Sequence, residues 1–170
     1  MTVHEHKNDA PSTVNCAIIT ITDTRTPVND KSGQLIQDIL QTSDYSVIDY
    51  NVIKDEYENI QSLIQQLAEN KRVNAILLNG GTGISKRDTT YEAVRDILDK
   101  EMPGFGELFR YLSYVEDIGS ASILSRATAG VYNNTAIFSM PGSSGAVRLA
   151  MNRLIVPELG HVTREIHKDL

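Results

Sequence analysis

Short apolar runs rich in β-branched residues alternate with longer amphipathic segments through the first half of the chain, and this alternation restricts the fold more than any other feature. Val14 to Thr22 (VNCAIITIT), Ser46 to Ile53 (SVIDYNVI) and Val73 to Leu78 (VNAILL) have the length and residue types of strands. Between them Leu35, Ile36, Ile39 and Leu40, then Ile60, Leu63, Ile64 and Leu67, recur at the three-four spacing of one buried helical stripe. Ser32 stands where it can cap the first helix, which should end near Ser43. Connections this long are not hairpins, so the strands should pair in parallel with helices covering the faces of the sheet. Ligands collect beyond the carboxyl ends of such strands. Chemistry is therefore expected where strands hand over to helices.

Asn79 to Asp88 (NGGTGISKRD) is one such handover, followed by a helix carrying Val94, Ile97 and Leu98. A Gly-rich break over Met102 to Gly106 should precede a helix around Glu107 to Val115. Asn133-Asn134 separates two further strands, Ala127 to Tyr132 and Thr135 to Met140, and Asn tolerates positive φ. A tight antiparallel turn there makes the sheet mixed. The last strand meets Pro141-Gly142-Ser143-Ser144-Gly145, then a helix with Val147, Ala150, Met151 and Leu154 that Pro157 should end or bend. With no repeat or linker, residues 14–170 read as one α/β domain, and residues 1–13 as a flexible tail without the pattern of a signal or transit peptide.

Composition narrows the function classes. Sixteen Lys plus Arg against 22 Asp plus Glu give a formal charge of −6, which disfavours non-specific attraction to nucleic acid or an anionic membrane. An anionic ligand must then be held by local design. Apolar runs stop far short of the roughly 20 residues that span a bilayer. The single cysteine, Cys16, lies in an apolar run; it excludes an intramolecular disulfide and points to the cytoplasm. His4 and His6 sit in the tail, and His161 and His167 lack the i, i+4 spacing that puts two zinc ligands on one helical face. Ser122, Ser125 and Ser139 have no nucleophile-elbow sequence around them.

Gly80, Gly81 and Gly83 follow a strand and precede a helix. They permit positive φ and close approach of backbone N–H groups to an anion, although they also suit a ligand-free turn. The segment is neither a Walker A loop nor the three-glycine dinucleotide fingerprint. Thr89 and Glu92 have capping-box spacing, which would leave the Asp88 carboxylate spare for Mg²⁺. Lys86 and Arg87 are either counter-charges for an anion or solvated loop cations. Asp55 and Glu58 also have capping-box spacing, yet the handover after Ile53 should share an edge with the one after Leu78. Pro141 to Gly145 is a third handover, with Ser143 either an anion ligand or an N-cap.

Asn79-Gly80-Gly81-Thr82-Gly83 with Arg87-Asp88, Glu101-Met102-Pro103-Gly104-Phe105-Gly106-Glu107 and Pro141-Gly142-Ser143, in this order and spacing, resemble the molybdopterin-binding MoaB/Mog family. Glu116-Asp117-Ile118-Gly119 and Ser125-Arg126-Ala127 extend the likeness, which runs from Val14 to about Leu159. The resemblance implies a three-layer α/β/α domain with a mostly parallel mixed sheet, assembled as a homotrimer or hexamer. In catalytic members it implies transfer of AMP from Mg-ATP to the terminal phosphate of molybdopterin, alongside other enzymes of molybdenum cofactor biosynthesis. A non-catalytic molybdopterin carrier is the alternative. By matching positions, Asp55 and Asp88 would be the catalytic, Mg²⁺-holding carboxylates. Gly80, Gly81, Thr82, Gly83, Pro141, Gly142 and Ser143 would line the substrate site, with Glu107 close by. Ser144 departs from the second proline of many relatives.

Overall fold

The computed structural model describes residues 13–170; residues 1–12, nearly all of the expected tail, lie outside the described residues. The strands are β1 (Asn15–Ile21), β2 (Ser46–Ile53), β3 (Ala75–Asn79), β4 (Lys100–Glu101), β5 (Thr128–Tyr132) and β6 (Thr135–Met140). They form one sheet in the order β2-β1-β3-β6-β5-β4. The first four strands of that order run parallel, while β5 is antiparallel to both of its neighbours. The hairpin joining β5 to β6 turns on Asn133 (φ 45°) and Asn134 (φ 59°), the two positive φ values such a turn requires.

The helices are α1 (Lys31–Thr42), α2 (Tyr57–Glu69), α3 (Thr90–Ile97), α4 (Pro103–Glu116), α5 (Ser144–Ala150) and α6 (Val156–His167). Strand side chains alternate between two buried faces. Cys16, Ile18 and Leu77 join Ile36, Leu40, Phe109 and Val147 of α1, α4 and α5, whereas Ala17, Ile19, Ile76 and Leu78 meet Ile60, Ile64, Ala93 and Val94 of α2 and α3. The result is a single three-layer α/β/α domain with a mixed central sheet.

Several local details depart from the sequence expectations. Asp30, not Ser32, is the N-cap of α1: its carboxylate accepts from the Gly33 N–H at 3.1 Å and from the Ser32 hydroxyl at 3.0 Å. The expected Gly-rich break is instead the first turn of α4, because Pro103 at N1 brings its φ already set and loses no helical hydrogen bond. Gly106 serves packing there, since a Cβ would lie 2.5 Å from the Ala127 carbonyl oxygen. Pro157 does not end the last helical run. A π-helical turn over Met151–Ile155 runs directly into α6, and this widened turn just before Pro157 lets the run continue through a residue that donates no backbone hydrogen bond. The two-residue β4 and a 3₁₀ turn over Gly119–Leu124 carried no periodic signal.

Candidate functional site

Because β1, β2, β3 and β6 are parallel, the segments leaving their carboxyl ends emerge on one edge. The segment after β3 is pinned from both sides. Gly80 adopts φ +102° and its N–H donates to the Met140 carbonyl at 3.0 Å. Gly142 lies so close that its Cβ, were there one, would sit 3.3 Å from the Gly80 Cα, so the loops after β3 and β6 pack backbone to backbone. Ser143 caps α5 by accepting from the Ala146 N–H at 3.2 Å.

The loops after β2 and β3 are joined through Asp55, which is only 5% exposed. Its Oδ1 accepts from the Thr89 N–H at 3.1 Å and the Thr89 hydroxyl at 2.7 Å. Neither expected capping box forms. Thr89 turns its hydroxyl to Asp55 instead of to its own helix, Glu92 pairs with Arg126, and Asp55 caps α3 from across the sheet rather than α2. Sequence spacing does not foresee this, because the acceptor lies 34 residues away.

Asp55 Oδ2 has no hydrogen-bond partner among the described residues and faces Gly81, whose φ is +66°. A Cβ at Gly81 would overlap both that oxygen and the Thr90 hydroxyl. The Thr90 hydroxyl is itself buried and unpartnered. Asp88 is similar: Oδ2 accepts from the Ser85 N–H at 3.1 Å, and a Cβ at Gly83 would fall 2.7 Å from it, while Oδ1 has no partner among the described residues. Two carboxylates thus flank the Gly81–Gly83 turn, each with one oxygen engaged and one available. Such hard oxygen donors suit Mg²⁺, held directly or through water.

Arg87 does not stand free as a counter-charge. It grips Asp23, in the loop after β1, through two bonds of 2.9 and 2.8 Å, and this keeps the Asp23 carboxyl below the usual range. Asp23 Oδ1 also accepts from the Asp55 N–H at 3.4 Å. Deeper at the same edge, Asn79 donates to the Thr20 hydroxyl at 2.8 Å, and its side-chain oxygen lies 2.8 Å from the Ser32 hydroxyl, whose single proton it shares with Asp30. Ser32 and Tyr50 both donate to the fully buried Asp30, which Arg25 approaches at 3.6 Å. Burial disfavours the Asp30 carboxylate, but hydrogen bonds from Thr20, Tyr50, Gly33 and Ser32 outweigh it and lower its pKa. This polar network fixes the base of the glycine turn, and no sequence motif singled out Asp30 or Tyr50.

Gly80, Gly81, Thr82, Gly83, Asp55, Asp88, Pro141, Gly142 and Ser143 therefore belong to one edge. Glu107 is exposed on α4, with no hydrogen bond or ion pair to these loops among the described residues.

A family model described as "Probable molybdopterin binding domain" matches residues 17–161. The chain belongs to the molybdopterin-binding MoaB/Mog family. It is 62% identical over 169 residues to Molybdenum cofactor biosynthesis protein B of Halalkalibacterium halodurans, covering 99% of each chain, and 55% identical to that of Bacillus subtilis with the same coverage. A crystal structure of Molybdenum cofactor biosynthesis protein B superposes with a TM-score of 0.91 at 55% identity, over 94% of this chain and 99% of that one. The tungsten cofactor synthesizing protein MoaB from Pyrococcus furiosus gives a TM-score of 0.82 at 33% identity, over 92% and 99%. No helix among the described residues of this family member is long and apolar enough to cross a membrane.

Proposed function

We propose that this protein is a molybdopterin adenylyltransferase of molybdenum cofactor biosynthesis, using Mg-ATP and molybdopterin. An oxygen of the molybdopterin phosphate would bond to the α-phosphorus of ATP, and the bond from that phosphorus to the bridging oxygen would break. The products are adenylyl-molybdopterin and pyrophosphate. The observation that carries this is the pair of available carboxylate oxygens, on Asp55 and Asp88, flanking a glycine turn that shares its edge with two other strand-to-helix loops.

Asp55 and Asp88 would hold Mg²⁺, which when bound offsets charge on the phosphates and on the leaving pyrophosphate. The chain's own work is to bring two anions together. Gly80 to Gly83 let the backbone approach phosphate closely, and the N-terminus of α3 adds partial positive charge. Pro141, Gly142 and Ser143 would wall the substrate on the β6 side, and Glu107 is the outlying member of the proposed substrate-binding set. No covalent nucleophile is required; positioning and charge stabilisation supply the acceleration.

The homotrimer or hexamer expected from the family belongs to this proposal. On α4, Leu108, Tyr111 and Val115 are each more than half exposed along one stripe, and Ile123 follows in the adjoining 3₁₀ turn at 79%. Apolar side chains grouped in this way mark a contact surface. The partners would be copies of this chain and the cytoplasmic enzymes that supply molybdopterin and consume the product.

The test is pyrophosphate release from Mg-ATP, with and without molybdopterin. Release should require molybdopterin and fall at least about 100-fold in Asp88→Asn and in Asp55→Ala, the scale expected when groups that position and stabilise the reacting phosphates are lost. Full activity in both variants overturns the roles of the carboxylates, and tight molybdopterin binding without pyrophosphate marks a carrier instead.

A further inference from the structure

Arg126 precedes β5 and lies 38 residues from Asp88, and the reaction proposed above assigns it no part. Its side chain is 24% exposed, and its polar groups reach back onto the glycine segment. Nε and Nη2 donate to the Gly83 carbonyl at 2.9 and 2.5 Å, and Nη2 reaches the Asp88 carbonyl at 3.4 Å. Nη1 is ion-paired with Glu92, and the guanidinium carbon lies 4.9 Å from the centroid of the Tyr91 ring. Even its backbone N–H donates to the Thr82 carbonyl, at 3.3 Å.

These contacts fall on backbone carbonyls and not on either site carboxylate. A trans peptide is planar, with its N–H directed opposite to its C=O. Holding the Asp88 carbonyl therefore also sets the Thr89 N–H, and that N–H donates to Asp55 Oδ1. In the same way, holding the Thr82 and Gly83 carbonyls sets the N–H groups of Gly83 and Ile84. Residues Ile84 to Arg87 are exposed and have no core packing to hold them. One guanidinium thus grips both ends of the segment that carries Asp88, from the side opposite Asp55.

We propose that Arg126 is a positioning residue that fixes Asp88 and Asp55 relative to each other by orienting the peptides of residues 82–89. The inference rests on the adenylyl-transfer reading for its kinetic consequence but not for its structural one. Lysine cannot replace it, because a single ammonium lacks the fork that spans two carbonyls and a carboxylate.

The test combines hydrogen exchange with kinetics on the full chain of Arg126→Ala, Arg126→Lys and the milder Glu92→Gln. In Arg126→Ala, exchange across residues 82–89 should rise at least tenfold while β1 and β3 stay protected. kcat should fall about 100-fold, as for a misplacement near 1 Å, with KM for ATP within about threefold. Arg126→Lys should behave alike, added guanidinium ion should restore part of kcat to Arg126→Ala, and Glu92→Gln should show the same changes at about a tenth of their size. Unchanged exchange over 82–89 in Arg126→Lys and Glu92→Gln overturns the proposal, whether or not the alanine variant folds. So does a loss confined to KM, which indicates substrate contact. If the parent chain releases no pyrophosphate, the enzyme reading fails, and the exchange pattern alone decides the role of Arg126.

Discussion

Replacing Gly81 by alanine tests the geometry of the proposed site at its tightest point. Two costs arise. At φ +66° an L side chain in the left-handed region loses about 1 to 2 kcal/mol. The new methyl would also overlap Asp55 Oδ2 and the Thr90 hydroxyl, so either the turn shifts or the carboxylate rotates away from Thr89. Loss of one of the two Thr89 bonds to a charged acceptor adds about 1.5 to 3 kcal/mol. The sum is about 2.5 to 5 kcal/mol, which for a domain of this size lowers Tm by roughly 10 °C. Gly104→Ala is the matched control: nothing lies within 4 Å of its Cβ, its φ is not positive, and in α4 alanine should stabilise by about 0.5 to 1 kcal/mol. Differential scanning calorimetry reads the stabilities, and the pyrophosphate assay at a temperature where both variants are folded reads function. Gly81→Ala should lose about 100-fold in turnover and Gly104→Ala none. Unchanged Tm and turnover in Gly81→Ala, or equal damage from both substitutions, refutes the close approach of Gly81 to Asp55.

Tyr50→Phe removes one donor from buried Asp30 and should cost about 1 to 3 kcal/mol at pH 7. Because the folded-state pKa of Asp30 is lowered, its stabilising contribution is present above the ordinary carboxylate pKa and lost as pH falls through the lowered one. The difference in urea midpoint between parent and Tyr50→Phe should therefore shrink on acidification below about pH 4; a constant difference contradicts it. Cys16 is fully buried and burial pushes its thiol up to about 12, so a thiol reagent at pH 8 should label it only as fast as the protein opens globally. Immediate labelling of the native protein contradicts this. Tyr111→Glu should dissociate the proposed assembly to smaller species in light scattering without altering the circular dichroism of the fold, and an unchanged mass removes α4 from the proposed interface.

The fold was readable where the periodicity was strong. Ile60 to Leu67 and Thr135 to Met140 occupy a helix and a strand as their spacing indicates, and Asn133-Asn134 forms the expected turn. Elements set by tertiary contact were not readable: β4 exists only because Lys100 and Glu101 pair with Val131 and Gly130. The site divides in the same way. Gly80 to Gly83 and Ser143 announce themselves by local chemistry, and the parallel topology brings Asp55 to their edge. The partners of Asp55 and of Arg126 lie 34 and up to 44 residues away, and the Thr89 and Glu92 spacing indicated a local cap because spacing cannot register a distant acceptor.

Crystals grown with Mg-ATP test the central claim most directly. The account predicts nucleotide phosphates against the Gly80–Gly83 turn, with a divalent cation within direct or one-water reach of both Asp55 Oδ2 and Asp88 Oδ1. Phosphates bound elsewhere on the molecule, or a cation touching neither carboxylate, would contradict it.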